Sequence, residues 1–120
     1  MLFTLSVHQG ARYVLLVLSG HASRAHLFGS VDFLASFLQE TGLQAALVDM
    51  MAIEHHGSGE EAALVGHHLA ERLHGVSRIA VAVAKDRYVG VADRVAQSKG
   101  VNFRMFHDIQ SAQDWLTSEE

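Results

Sequence analysis

Three short runs in this chain are apolar at consecutive positions: Tyr13 to Leu18, Ala45 to Val48 and Ile79 to Val83. A strand without a polar face must be covered on both sides, so these runs belong in the middle of a sheet with layers above and below it. Two other runs alternate. Phe3, Leu5 and Val7 are interleaved with Thr4, Ser6 and His8, and Val101, Phe103 and Met105 with Asn102 and Arg104. Alternation at period two marks a half-buried strand, which places these two at the edges.

Helical patterns fill the intervals. Ser23 stands where a helix N-cap is expected and Gly42 where its C-terminal stop is expected. Between them Leu27, Val31, Leu34 and Leu38 fall on one stripe, with Phe33 and Phe37 on its flank. A polar loop from Asp49 through Gly59 leads to a second helix ending near His74. A third runs from beyond Lys85-Asp86-Arg87 to Lys99, stopped by Gly100, and a fourth runs from Ile109 to Leu116, capped by Asp108. Gln9-Gly10-Ala11-Arg12 turns the first two strands into a hairpin. The order ββαβαβαβα predicts an α/β fold: a five-stranded, mainly parallel mixed sheet with four helices. At 120 residues the expectation is one domain over 1–120.

Charge and cysteine content narrow the function classes. The net charge of −4, with basic residues scattered, argues against nucleic acid, which demands clustered Lys and Arg. There is no Cys, so thiolate chemistry is excluded. No run approaches the ~20 apolar residues of a membrane span, and the first residues alternate like a strand rather than a signal peptide. The cytoplasm is the expected compartment.

Nine His residues invite a metal reading. Adjacent helical residues point ~100° apart, so His67 and His68 do not share an ion, and two turns put His74 ~10 Å from His67. The expectation is no metal and no cofactor. No Gly-x-Ser-x-Gly elbow or phosphate loop occurs, and Gly57-Ser58-Gly59 lacks the spacing. The best polar constellation is Asp49 with Glu54, His55 and His56, at the strand edge where α/β sheets bind ligands. Its bland counterpart is an Asp49 that only hydrogen-bonds its own loop. Ser58-Gly59-Glu60-Glu61 has the form of a capping box. Phe33 and Phe37, with Leu64 opposite the core stripe of the second helix, are interface candidates for a homodimer or another protein.

The layout resembles the STAS superfamily of anti-sigma-factor antagonists, and within it the SpoIIAA-like group. The matching residues are Ser19-Gly20, Leu47-Val48-Asp49 and Ile79-Ala80-Val81, followed by Phe103-Arg104-Met105-Phe106 leading into Ala112-Gln113-Asp114-Trp115-Leu116. The resemblance implies strands in chain order and a role in protein–protein regulation rather than chemistry. It also implies a phosphorylatable Ser at the start of the second helix, inside an Asp-Ser pair. Ser58 lies about there, but the residue before it is Gly57. The reading is thus a non-enzymatic interaction module with a protein partner. The alternative is a small-ligand-binding domain or minor enzyme using the Asp49–Ser58 loop.

Cap and switch forecast different outcomes at Ser58. For a cap, Ser58→Ala loses about 0.5–2 kcal/mol while Ser58→Asp, an equally good cap, loses little. Thermal melts of both variants, with intact mass of protein from native cells, check this. A phosphate on Ser58 would overturn the cap-only reading.

Overall fold

The computed structural model describes residues 2–54, 59–87 and 90–118. Its sheet is built from β1 (Phe3–Gln9), β2 (Val14–His21), β3 (Ala45–Glu54), β4 (Arg78–Val83) and β5 (Phe103–Phe106), ordered β1-β2-β3-β4-β5. β1 pairs antiparallel with β2, and the remaining neighbours are parallel. The alternating strands are the edges and the continuously apolar ones are interior, as the patterning predicts. The helices are α1 (Arg24–Thr41), α2 (Gly59–Leu73), α3 (Ala92–Ser98) and α4 (Ile109–Thr117).

Two cores lie on opposite faces of the sheet. On the first, Leu16, Leu18, Val48, Ile79 and Val81 meet Val31, Leu34 and Leu38 of α1, Leu69 and Leu73 of α2 and Ala96 of α3. On the second, Leu47, Ala80 and Ala82 meet Ala112 and Leu116 of α4. Small residues at 80 and 82 let α4 lie close. Trp115 is held there by the Arg78 and Arg104 guanidiniums, 5.4 and 5.1 Å from its ring centre. Asp108 caps α4 by accepting from the Ser111 N–H at 2.7 Å. That bond, followed by one from the Ser111 hydroxyl, holds the Asp108 carboxyl below its ordinary value.

Ser23 and Asp108 cap α1 and α4 as the sequence predicts, with one surprise. Ser23 caps α1 by accepting from the His26 N–H, and His26 Nδ1 accepts from the Ser23 N–H at 3.0 Å. Histidine thus occupies the place that Glu or Gln holds in a capping box.

Strand ends differ from expectation at two points. β3 does not stop at Asp49 but runs to Glu54, because β2 continues to His21 and keeps pairing with it across a bulge between Val17 and Ser19. β5 begins at Phe103, since the Val101 N–H is taken by Ala96 at the end of α3.

Gly66 sets the α2–α3 spacing. A Cβ there would stand 2.7 Å from the Ala92 carbonyl oxygen and 2.9 Å from the Val95 Cβ, so the helices meet at van der Waals distance. Gly66→Ala is expected to destabilise by about 1–3 kcal/mol through overpacking. Gly29→Ala in α1, where nothing lies within 4 Å, is expected to stabilise by about 0.4–1 kcal/mol. Urea midpoints of the two variants measure the contrast.

Candidate functional site

Between the sheet and the layer of α1, α2 and α3 lies a cavity of about 160 Å³. Its floor is Leu16, Leu18, Val48, Ile79 and Val81, and its roof is Leu27, Val31 and Leu34 of α1 with Ala62, Val65 and Leu69 of α2. Val83 and Met105, at or next to the C-terminal ends of β4 and β5, line it towards the edge where α/β sheets bind ligands, with Met50 from midway along β3 beside them. Among the described residues, two polar side chains border it, Ser30 and Glu61. The Ser30 hydroxyl donates to the His26 carbonyl at 2.7 Å, which satisfies it inside an apolar wall. An apolar cavity of similar size, about 150 Å³, stays dry and accepts benzene or xenon.

The roof is clasped from outside. His68 Nε2 of α2 lies 2.7 Å from Asp32 Oδ1 of α1, and Arg72 Nε approaches the same oxygen at 3.4 Å. The Phe28 ring stacks on His68 with centres 4.7 Å apart. His68 is thus tied to α1 by both a polar contact and a ring stack. Asp32 is half exposed, so the clasp contributes modestly to stability.

The sequence-derived constellation is spread out by the longer β3. Asp49 Oδ1 accepts from the Met51 N–H at 3.0 Å, beside the bulge that disturbs the ladder there. Glu54 is exposed at the strand's end, five residues on, about 16 Å away at 3.3 Å per residue. His55, His56 and Ser58 lie outside the described residues. Asp49 shares the sheet face of Leu47 and Met51, whereas Val48 and Met50 face the cavity. Among the described residues no three His, Asp or Glu side chains gather as metal ligands would.

Phe33 and Leu64 are exposed, at 38 % and 46 %. Phe37 is half-buried against the first core, its ring centre 5.9 Å from that of Phe33. The cavity itself was not visible in the sequence, where its lining residues read as ordinary core. The one available signal was Ser30, a polar residue beside the core stripe of α1.

The sequence matches no family model and no curated protein. Solved structures do match. An anti-sigma factor antagonist from Mycobacterium paratuberculosis aligns over 97 % of this chain and 95 % of its own, with a TM-score of 0.67 at 13 % identity. An uncharacterized protein with a SpoIIAA-like fold from Shewanella loihica aligns over 95 % and 93 %, at 0.57 and 23 %. The fold is SpoIIAA-like. The anti-sigma factor antagonist SpoIIAA in its unphosphorylated form aligns over 95 % of both chains, at 0.54 and 11 %. No helix among the described residues is long and apolar enough to cross a membrane.

Proposed function

We propose that this chain is a non-enzymatic module that regulates by binding another protein. The supporting observation is the shared fold: two of the structures that align over nearly the whole chain are anti-sigma factor antagonists. The α2 surface is the natural contact face, because Leu64 is exposed there on a helix whose opposite side is committed to the core. A tagged chain is expected to retain a protein from its native cells, and Leu64→Asp, on an exposed site, to release it without loss of thermal stability. Capture of the same proteins by both forms, or of none, defeats this reading.

The cavity favours a second reading, a small-ligand-binding domain. A deep apolar pocket with few polar groups is the usual form of a ligand site. Its volume suits a neutral apolar molecule of about benzene size. Binding to the folded state alone raises stability by about 2.7 kcal/mol at a hundredfold excess over Kd. Benzene is therefore expected to raise the melting temperature of the native chain, and Val65→Phe, which fills the space, to abolish that rise. An unchanged melting temperature of the native chain in benzene removes this reading and leaves the first intact.

A further inference from the structure

β1 ends the sheet, and among the described residues no strand pairs on its outer side. The hydrogen-bond pattern fixes which groups face outwards. The His21 N–H donates to the Leu2 carbonyl and the Gly10 N–H to the Tyr13 carbonyl, each at 3.0 Å. Even-numbered residues of β1 therefore bond to β2, and Phe3, Leu5, Val7 and Gln9 direct their N–H and C=O groups away from the sheet. Edges of this kind are ordinarily blunted by charge, Pro or brevity. β1 has seven residues and carries no Lys, Arg, Asp, Glu or Pro. The opposite edge, β5, has four residues and carries Arg104.

The helix above this edge presents the matching surface. His26 of α1 stacks on Phe3 of β1, ring centres 4.3 Å apart, so that flank of α1 hangs over the edge strand. Residues seven and eleven positions on from His26 fall on the same flank, and these are Phe33 and Phe37. Asp32 and Phe28 point the other way, to His68 of α2. The outward side of the molecule thus combines unpaired strand groups, half-buried Leu5 and Val7, and two aromatic rings.

We propose that β1 docks against β1 of a second copy of this chain, antiparallel, with Ser6 on the two-fold axis. Outward-facing groups require odd residues to pair with odd residues. Centring on Ser6 sets Leu5 against Val7 and Phe3 against Gln9 of the second copy, which uses every outward group of the strand. A two-fold axis perpendicular to the sheet puts both α1 helices on one side, so each Phe33 meets the other copy across the seam. An unrelated extended peptide would satisfy the strand and leave Phe33 exposed. A second copy satisfies both, and neither strand brings a Lys, Arg, Asp or Glu to the join.

The absence of cysteine makes the register directly testable. Ser6 faces its own counterpart in a non-hydrogen-bonded pair, where Cα atoms lie ~4.5 Å apart and a disulfide fits. Thr4 faces His8 of the second copy, so neither meets itself. Light scattering of the native chain is expected to give a dimer, and Phe33→Asp to shift it towards monomer. Under mild oxidation Ser6→Cys is expected to cross-link at least about tenfold faster than Thr4→Cys or His8→Cys, because pairing raises the local thiol concentration. A native monomer at the highest soluble concentration overturns the proposal. So does a dimer in which the three cysteine variants cross-link at equal rates.

Discussion

The structure depends on the two-sided burial of β4. Ile79, Ala80 and Ala82 are wholly inaccessible, and Val81 and Val83 nearly so, so successive residues are removed from water on both faces of one strand. Such a strand is stable only between two layers. The layer of α1 to α3 buries the odd residues, and α4 buries the even ones. The residue sizes follow from this division. Branched side chains meet the thick layer, and alanines admit the single helix whose Trp115 is pinned by Arg78 and Arg104.

Because one short helix cannot cover five strands, the second face is divided. α4 packs on β3, β4 and β5, and β1 with the outer part of β2 presents Thr4, Ser6, His8 and Ser19 there. Thr4 and Ser19 hydrogen-bond to each other across the strands. The alternation of β1 therefore records where the helical cover ends. It also explains why β1 can be polar on one face and still bind α1 through Phe3, Leu5 and Val7 on the other.

Period was the part of the design most legible in the sequence. The edge and interior strands, the Ser23 and Asp108 caps and the Gly42 stop all follow from residue types acting locally, whereas strands in chain order were implied only by the family resemblance. Asp49 misled because a charged residue in an apolar run looks like a strand's end. Here the bulge lets its carboxylate take a nearby N–H, and pairing with β2 carries β3 onwards. The cavity was illegible for a different reason. Periodicity says which residues face inwards, not whether facing layers fill the space between them, and that depends on helix separation set by single positions such as Gly66. The His68–Asp32 clasp joins residues 36 apart, a separation no local pattern encodes.

Cavity and clasp together describe how α1 and α2 are held. Tight packing normally fixes a helix to its sheet, and here the gap of about 160 Å³ removes some of that packing beneath both helices. Lining atoms beside a void lose their dispersion partners outright, so the roof is attached less firmly from below than a filled core would attach it. To the packing of Val31, Leu34, Leu38, Leu69 and Leu73 on the sheet the rim adds the Phe28–His68 stack, the contacts of Asp32 with His68 and Arg72, and the close approach at Gly66. Exposed Leu64 is the sequence neighbour of Val65, which lines the cavity, so the surface proposed to meet a protein partner and the wall of the cavity belong to one turn of α2.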